Sequence, residues 1–403
     1  MLKKILIITS LSCLLLGQTA KEFQQQQMSG FNSYKKTQEE GFKEYQKDQM
    51  KAFNDYKKEI GAIWEEPKMS TKKTWVAYTK DKKTRTDVDF SKEIIVVETV
   101  ATSPEEAKQK LQIALAKVVT VDTKTVQETD PLEKRLAKIK RPDGVVDAKV
   151  KAEPILSTVV FNKPPTKKSV RDYVNKNITK EKVKVVKSNK IKHAKVYSVS
   201  VKLPANSMVK RSKIYYDVIK SNSTKQKLPM PLVFAIMHSE SNFNPRAKSH
   251  IPAFGLMQIV PKTAGIDSYN YLYKKKKLVT GSYLYDSTNN IKMGTAYLHI
   301  LYYRYLRKIK NPDSRLYCAI AGYNTGTGNI ACAFNSTTKK KGVTYCSKKK
   351  GDYNMNSAAP KINSMTPDQV YAKLMKDLRW DEPKHYLKKV SKRMSQYKKV
   401  YGL

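Results

Sequence analysis

The chain has 403 residues and a formal net charge of +43, because 78 lysines and arginines outnumber 35 aspartates and glutamates. This length allows two or three domains with substantial cores. Only 11 of the basic residues are arginines, whereas recognition of bases and phosphates favours the bidentate arginine fork. Lysines spread along the whole chain indicate a solvated surface or attraction to anionic polymers, so we expect no nucleic-acid partner.

The first twenty residues have the pattern of a secretory signal. Lys3 and Lys4 precede an apolar run at positions 5–16 that is too short to span a membrane as a helix. The alternative interpretation is an N-terminal anchor. Cys13 lies inside this run without the leucine that usually stands three places before a lipidated cysteine, so lipidation of Cys13 is doubtful. We predict a periplasmic protein and leave peripheral attachment to the outer membrane open.

An aromatic repeat follows the signal. The sequences FNSY, FKEY and FNDY begin at positions 31, 42 and 53, so the phenylalanines are eleven residues apart. Eleven residues make three turns at about 3.67 residues per turn, which places all six aromatic side chains on one stripe of a helix. We predict this amphipathic helix within residues 21–66, from about Lys21 to Ile63. Two interpretations remain: a stalk or a helix that lies on the next domain, or a contact with a partner helix or a membrane surface.

Residues 67–203 are predicted to form a small α+β domain. The runs TWVAYT, EIIVVETV and KVYSVSVKL, which begin at positions 74, 93 and 195, are typical of strands. A helix is predicted between them, with Ser103 as N-cap, Pro104 at its first position and Glu106 at its third. Residues 123–190 are charged and punctuated by prolines, so we expect a flexible excursion there.

Residues 204–403 are predicted to form an all-α domain, which makes the overall fold class α+β. SMVKRSKIYYDVIKSN has helical periodicity, and PMPLVFAIMHSES is an apolar helix opened by prolines. STNNIKMGTAYLHILYYRYLRK is predicted as a long helix that is capped near Asn289. About 200 residues suffice for a hydrophobic core of their own.

Three cysteines, Cys318, Cys332 and Cys346, follow the signal. In an oxidising compartment Cys332 and Cys346 would close a loop around a lysine-rich insert and stabilise the fold by about 3 kcal/mol. Because spacing does not fix connectivity, three buried or free thiols remain the alternative. The five histidines are scattered, and we expect neither a metal site nor a cofactor.

Glu240 is the only acidic residue between Asp217 and Asp267. It follows the apolar run 232–237, which should pack as a core helix, and it stands where SNFNP must leave that helix. A carboxyl held against apolar neighbours loses hydration, so its pKa rises and it becomes a plausible acid at neutral pH. The alternative is an ordinary capping or solvent-facing glutamate.

Four motifs resemble those of the lysozyme-like lytic transglycosylases. ESNFNPRAKSHIPAFGLMQIVPKTAG is similar to the family's glutamate-serine and Gly-Leu-Met-Gln motifs, AGYNTGTGNI to its Tyr-Asn motif, and DEPKHYLKKV to its last tyrosine-bearing motif. Together with TRTDVDFSKEIIVVET in the upstream domain, they narrow the resemblance to a membrane-bound branch of the family. The chain departs from the usual pattern at Pro252, Gly322, Thr325 and Pro383, where loop shape rather than a functional side chain is affected.

The resemblance implies a lysozyme-like catalytic fold, peptidoglycan glycan strands as the partner, and roles for individual residues. Glu240 is the expected acid and base, and Ser241 is expected to orient it or the substrate. Asn324 is expected to bind an acetamido group of the sugar. The other expected contacts with the sugar or with the catalytic carboxyl are Ser249, Gln258, Tyr323 and Tyr386. Met257 is expected to help shape the wall of the cleft, and a place in the core is the alternative.

The resemblance also implies the chemistry. Ordinary glycosidases use two carboxyls, one of which forms a covalent bond or activates water. A transglycosylase needs Glu240 alone, because the C6 hydroxyl of the sugar attacks and closes a 1,6-anhydro ring. Asp267 and Glu382 are distant in the sequence, and only the fold decides whether they approach Glu240. The alternatives are a muramidase that hydrolyses the same bond and a non-catalytic protein that binds the cell wall.

Overall fold

The computed structural model describes residues 20–250, 252–335, 337–340, 343–346 and 352–402, and the side chains of 40–250, 252–335 and 352–402. The predicted signal, including Cys13, lies outside these residues except for Ala20. In the described part of the chain, no helix is both long enough and apolar enough to cross a membrane.

The predicted aromatic helix is α1, which spans Ala20–Gly61. Tyr45 and Tyr56, from the second and third repeats, are buried. Tyr56 contacts Tyr78 of the following domain edge-on, with ring centroids 6.2 Å apart. The aromatic side chains of the first repeat, at 31 and 34, lie outside the described residues. Within the described part, α1 therefore lies on the next domain.

The N-terminal domain contains a five-stranded antiparallel sheet. Its strands are β1 Thr74–Tyr78, β2 Thr84–Asp89, β3 Ile94–Ala101, β5 Lys184–Lys187 and β6 Lys195–Lys202, and a short β4, Val145–Val146, lies outside this sheet. The order is β1-β2-β3-β6-β5, so the three predicted runs are strands and two strands were missed. Ile95 pairs with Val201 and Val97 with Val199, and these four side chains are buried against the helix that follows β3.

That helix, α2, spans Pro104–Thr120 and begins as predicted. Ser103 Oγ accepts a hydrogen bond from the Glu106 amide at 3.1 Å. The carboxylate of Glu106 accepts from the Thr102 amide at 2.9 Å, one residue before the N-cap. Both contacts use backbone N–H groups that have no partner within the helix.

Residues 123–190, where a flexible excursion was expected, contain several short helices. Asp122 and Asp130 cap two consecutive short helices, since each carboxylate accepts backbone N–H groups at the helix start. These local caps organise a charged segment that composition alone made look disordered. The helices of the segment are α3 Thr123–Thr129, α4 Pro131–Ala137, α5 Ser157–Val160 and α6 Lys167–Asn177, with a 3₁₀ turn at Lys180–Lys182.

The C-terminal domain is mainly helical. Its helices are α7 Ser207–Ile214, α8 Tyr216–Gln226, α9 Met230–Ser241, α10 Ile266–Tyr273, α11 Gly281–Tyr285, α12 Ser287–His299, α13 Pro312–Thr325, α14 Thr327–Phe334, α15 Met355–Asn363, α16 Pro367–Asp377 and α17 Asp381–Tyr401. Two π-helical segments, Pro261–Gly265 and Ile300–Tyr305, precede α10 and follow α12.

Three details of the C-terminal domain differ from the sequence prediction. The first predicted helix is interrupted at Tyr215, whose ring is buried and stacks on Phe243 with centroids 6.4 Å apart. The cap of α12 is Asp286 rather than Asn289, because the Asp286 carboxylate accepts from the Asn289 amide at 2.8 Å. The domain is also not purely helical, since it contains β7 Leu278–Val279, which pairs with β4, and a hairpin of β8 Thr337–Lys340 and β9 Val343–Cys346.

A buried arginine, Arg211, joins the two domains. The guanidinium of Arg211 donates to the Phe90 carbonyl at 3.0 Å and to the Asn242 carbonyl at 3.3 Å. Phe90 belongs to the N-terminal domain and Asn242 directly follows α9. The end of the helix that carries Glu240 is therefore fixed to the N-terminal domain.

Candidate active site

Glu240 lies on the last turn of α9, a helix that is buried along almost its whole length. Residues 232–237 are at most 1% exposed. The helix ends because Asn242 and Phe243 both adopt positive φ angles, 53° and 60°. Two consecutive residues in the left-handed region turn the chain away from the helix axis. The side chain of Glu240 therefore stays inside the protein, with 5% of the residue exposed.

Burial raises the pKa of the Glu240 carboxyl above its ordinary value, because the charged form loses water. Lys72 opposes this effect, since its Nζ lies 3.9 Å from Glu240 Oε2 and its charge lowers the pKa. Tyr386 also lowers the pKa, whereas the carboxylate of Glu382 raises it. The net effect is upward, so Glu240 keeps its proton to a higher pH than an exposed glutamate does. This environment suits a proton donor.

Ser241 does not face the catalytic carboxyl or the cleft. Its hydroxyl donates to the Leu256 carbonyl at 2.7 Å and to the Met237 carbonyl at 3.1 Å, and the residue is fully buried. Ser241 was expected to orient Glu240 or the substrate, and in the structure its hydroxyl proton serves the backbone. Ser241 instead ties the end of α9 to the Gly-Leu-Met-Gln loop.

Asn290, on α12, holds that loop and was missed by the sequence analysis. Its Nδ2 donates to the carbonyls of Phe254 and Leu284, each at 2.8 Å, and its Oδ1 accepts from the Met257 amide at 2.7 Å. Because all three partners are backbone groups, Asn290 holds the loop whatever side chains the loop carries. Asn290 stands between Asn289 and Ile291, and no feature of this sequence distinguishes it from a surface residue.

Met257 and Gln258 are less accessible than the resemblance suggested. The Met257 side chain is fully buried and packs over Gly294, so it belongs to the core rather than to the cleft wall. Gln258 is buried with a φ of 49°, and its Nε2 donates to the Gly255 carbonyl at 3.0 Å. Gln258 Oε1 has no hydrogen-bond partner among the described residues.

Tyr323 and Asn324 lie on the last turn of α13. Tyr323 Oη donates to the Met257 carbonyl at 2.8 Å. Burial and the charge of Glu240 raise the pKa of Tyr323 well above its ordinary value, so the hydroxyl is neutral and lies near the catalytic carboxyl. Asn324 is half-buried, and its side-chain amide makes no hydrogen bond within the described chain. An amide in this position can bind a polar group of a ligand.

Tyr386, on α17, completes the immediate surroundings of Glu240. Burial raises the pKa of Tyr386 well above its ordinary value, and the charge of Glu240 raises it further. The Tyr386 hydroxyl lies close enough to Glu240 to lower the pKa of that carboxyl.

Ser249 lies at the edge of a groove rather than beside Glu240. Its Oγ accepts from the Ala253 amide at 3.1 Å, which closes a tight loop. The groove has a volume of about 1540 Å³ and runs between α1, the N-terminal domain and this loop. Lys72, Ser249 and Pro252 are among its lining residues. Lys72 thus lines the groove and also lies beside the carboxyl of Glu240.

The two acidic residues considered as second carboxyls differ in position. Asp267 accepts a hydrogen bond from Tyr305 Oη at 2.9 Å. Glu382 is exposed on the first turn of α17, and its charge acts on Glu240. The fold therefore brings Glu382, from a remote part of the sequence, close enough to Glu240 for its charge to raise the pKa of that carboxyl.

Cys332 is disulfide-bonded, and Cys318 is a buried free thiol. The alternative of three free thiols is therefore excluded. The side chain of Cys346 lies outside the described residues, so its pairing with Cys332 stays a prediction. No group of three or more His, Cys, Asp or Glu side chains in the described ranges is arranged to hold a metal ion.

Two protein families match the chain. The family described as Transglycosylase SLT domain matches residues 217–345, and the family described as Membrane-bound lytic murein transglycosylase C, N-terminal domain, matches residues 42–214. The boundary between the two matches lies between α7 and α8, next to Tyr215.

Relatives extend the likeness over most of the chain. The membrane-bound lytic murein transglycosylase C of Serratia proteamaculans is 33% identical over 335 residues, which cover 81% of this chain and 83% of the relative. The protein of the same description from Klebsiella pneumoniae is 32% identical over 336 residues, which cover 81% and 82%. A solved structure, the 70 kDa soluble lytic transglycosylase of Escherichia coli, is 22% identical and covers 49% of this chain and 26% of its own, with a TM-score of 0.34.

Proposed function

Because this chain belongs to the family of membrane-bound lytic murein transglycosylase C, we propose that it cleaves the β-1,4 bond between N-acetylmuramic acid and N-acetylglucosamine in peptidoglycan. The proposed product carries a 1,6-anhydro ring, and Glu240 is the acid and then the base. The observation that carries this proposal is the buried carboxyl of Glu240, whose pKa is raised by loss of hydration.

In the first step, protonated Glu240 gives its proton to the glycosidic oxygen, which leaves with the N-acetylglucosamine unit. Positioned proton transfer of this kind contributes roughly 10²- to 10⁴-fold to the rate. The positive charge that develops on the muramic acid ring is stabilised by the carbonyl of its own acetamido group. Asn324 is the proposed partner of that acetamido group, since its amide is half-buried and makes no hydrogen bond within the described chain.

In the second step, the carboxylate of Glu240 takes the proton of the C6 hydroxyl, whose oxygen attacks the anomeric carbon. The new bond closes the anhydro ring, and the transferred proton restores the acid form of Glu240. No water is consumed. Because the hydroxyl belongs to the same sugar, its effective concentration at the reacting carbon is high. Lys72 and Tyr386 both favour the carboxylate form that this step requires.

Hydrolysis of the same bond is the second candidate, and Glu382 is the observation that favours it. A hydrolase needs a second carboxyl that activates water or forms a covalent bond. Glu382 is exposed to solvent and lies near enough to Glu240 to shift its pKa.

Product analysis decides between the two reactions. Purified sacculi are digested with the enzyme, and the released muropeptides are measured by mass spectrometry. Anhydro ends are expected, and each is lighter by one water than the reducing end that hydrolysis leaves. Reducing ends as the main product would overturn the proposed reaction.

Two variants locate the chemistry. Glu240→Gln is expected to abolish turnover with the fold retained, as checked by circular dichroism. Glu382→Gln is the matched control, because it removes an exposed carboxylate near the same site and is expected to retain anhydro products. Turnover by Glu240→Gln would remove Glu240 from its proposed role, and loss of turnover in Glu382→Gln alone would favour hydrolysis.

We further propose a periplasmic location with peripheral attachment to the outer membrane. The relatives are described as membrane-bound, and the substrate proposed here occupies the periplasm. Fractionation of cells that express the full chain tests this proposal: the protein is expected in the envelope fraction and is released by salt. Recovery from the cytosol would contradict it.

A further inference from the structure

Lys72 belongs to the N-terminal domain but lies at the carboxylate of Glu240. The two side chains are 3.9 Å apart, with 39% of Lys72 and 7% of Glu240 exposed. Among the described side chains, Lys72 is the only ion-pair partner of Glu240. The family that contains the catalytic motifs matches residues 217–345 and so does not include Lys72. The catalytic carboxyl and its cation therefore come from different domains.

Lys72 lies in a tight turn that leads into β1. The Thr71 amide donates to the Thr74 carbonyl at 3.0 Å, and the Thr74 amide donates to Thr71 Oγ1 at 3.1 Å. The hydroxyls of Thr71 and Thr74 are also hydrogen-bonded, at 2.8 Å. These bonds close the loop on both sides of Lys72 and Lys73, so the backbone that carries the ammonium is held in one shape.

The turn is also fixed to the catalytic domain by the segment that follows Glu240. Asn244 Nδ2 lies 3.5 Å from the Lys72 carbonyl and 3.4 Å from the Thr74 carbonyl, and the Lys248 amide donates to the Thr71 carbonyl at 3.3 Å. Asn244 and Lys248 are four and eight residues beyond Glu240. The segment that ends the catalytic helix thus also places the cation.

We propose that Lys72 is a positioning residue for the reaction, and that its ammonium stabilises the carboxylate form of Glu240 when that group must act as a base. This inference rests on the proposed function. It gives the N-terminal domain a direct part in the active site, because the turn before β1 supplies a charge that the catalytic domain lacks at this point.

The physical reason is that one carboxyl must serve as acid and base in turn. A group that acts first as an acid and then as a base is most effective when its pKa lies near the working pH. Burial alone raises the pKa of Glu240, which favours proton donation but leaves a carboxylate that is costly to form. A nearby cation offsets part of that cost. An opposite charge within 4 to 6 Å lowers a carboxyl pKa by about 1 to 3 units, and the partial exposure of Lys72 weakens its effect.

Other charged and titratable groups also face Glu240, and the charged ones affect its pKa. Lys73 follows Lys72 in the turn and has a weaker effect of the same sign, while the carboxylate of Glu382 acts in the opposite direction. Two tyrosines nearby have a raised pKa and stay neutral in the accessible range. The groups that face Glu240 are Lys72, Lys73, Tyr323, Glu382 and Tyr386.

The test is the pH dependence of kcat/KM on soluble murein fragments for wild type, Lys72→Met, Lys72→Arg and Lys73→Met. Removal of the Lys72 charge should raise the pKa of Glu240, so the alkaline limb of the profile, where the acid loses its proton, should move upward by about one pH unit in Lys72→Met. Lys72→Arg should restore the wild-type limb. Lys73→Met is the matched control, and its limb should move much less.

A role for Lys72 in folding alone would lower activity equally at every pH and leave the limb in place. That result in Lys72→Met would overturn the inference. Absence of murein turnover by the wild-type protein would instead count against the proposed function. Failure of the inference and failure of the proposed function are therefore distinguishable.

A second measurement does not depend on activity. The Glu240 carboxyl is titrated by ¹³C NMR in the full-length wild type and in Lys72→Met, with Glu240→Gln used to identify the signal. The titration midpoint is expected to be higher in Lys72→Met by about one pH unit. Equal midpoints in the two proteins would overturn the inference even if the variant were catalytically impaired.

Discussion

Arg246 and Glu133 form an ion pair across the two domains, with Nη2 and Oε1 2.8 Å apart and side chains that are 4% and 12% exposed. Arg246 also donates to Gln127 at 2.8 Å, and its guanidinium lies 3.8 Å from the ring centroid of Tyr285. Arg246 is six residues beyond Glu240. The pair therefore fixes the segment after the catalytic helix to α3 and α4 of the N-terminal domain.

Glu133→Ala should reduce the free energy of unfolding by about 3 kcal/mol, because it leaves a buried guanidinium without its counter-charge. Urea unfolding followed by circular dichroism measures the change. Glu128→Ala is the control, since Glu128 pairs with Lys124 at 3.9 Å with side chains 61% and 56% exposed. Its effect should stay below about 0.5 kcal/mol. Equal losses in the two variants would contradict a structural role for the buried pair.

Asn290→Ala should destabilise the protein by about 3 kcal/mol, because it removes the hydrogen bonds of this side chain to the Phe254 and Leu284 carbonyls and to the Met257 amide. Murein turnover should fall by at least tenfold, since the loop carries Gln258 and receives the hydrogen bond of Tyr323. Asn289→Ala, one residue earlier and half-buried, should leave both stability and turnover close to wild type. A neutral Asn290→Ala would show that the loop holds its shape without this residue.

Gly255→Ala should be more damaging than Gly326→Ala. Both glycines have positive φ angles, 72° and 82°, so a side chain at either position is strained by about 1 to 3 kcal/mol. A Cβ at Gly255 would in addition overlap Asn290 and the Leu284 carbonyl, whereas a Cβ at Gly326 would meet nothing within 4 Å. Urea unfolding of the two variants measures the difference between their losses of unfolding free energy. Equal losses would mean that the Gly255 loop moves aside.

Glu240→Gln should be more stable than wild type at pH 8 but not at pH 4. Because the folded state raises the pKa of Glu240, it holds the proton more tightly than the unfolded state does. Wild-type stability therefore falls as pH rises from the ordinary pKa of 4.5 up to the raised value, and it stays low above that value. Each unit by which the pKa is raised corresponds to about 1.4 kcal/mol. Urea unfolding at the two pH values checks the prediction, with Glu382→Gln as an exposed control.

Equal stability of Glu240→Gln and wild type at pH 8 would show that the carboxylate is fully compensated by its neighbours. That outcome would be compatible with a carboxylate held ionised by Lys72, and it would argue against Glu240 as the acid of the first step.

The local features of this protein were predictable because their causes are local. The eleven-residue spacing of aromatic residues predicted α1 within two residues at each end, since helical periodicity depends only on neighbouring turns. Ser103 was correctly identified as a cap, because the bond to the Glu106 amide spans only three residues. The end of α9 after Glu240 was likewise evident from the SNFNP sequence.

Predictions about the direction of individual side chains were less successful. Ser241 was expected to orient Glu240 or the substrate, but successive residues of a helix point about 100° apart, so it faces Leu256 while Glu240 faces the site. The Met257 side chain was placed at the cleft wall and proved to be core. The sequence does not specify the direction of either side chain, because that direction depends on how α9 and α12 pack.

The sequence by itself determined where the candidate catalytic residue Glu240 stands: a lone acid at the end of an apolar helix, with the motifs of its family around it. Only the tertiary structure decided which charges surround that carboxyl. Lys72 and Glu382 are far from Glu240 along the chain, and they act on it because the two domains and α17 meet at the end of α9. Coulomb interactions depend on separation in space, whereas helix periods and caps depend on separation along the chain.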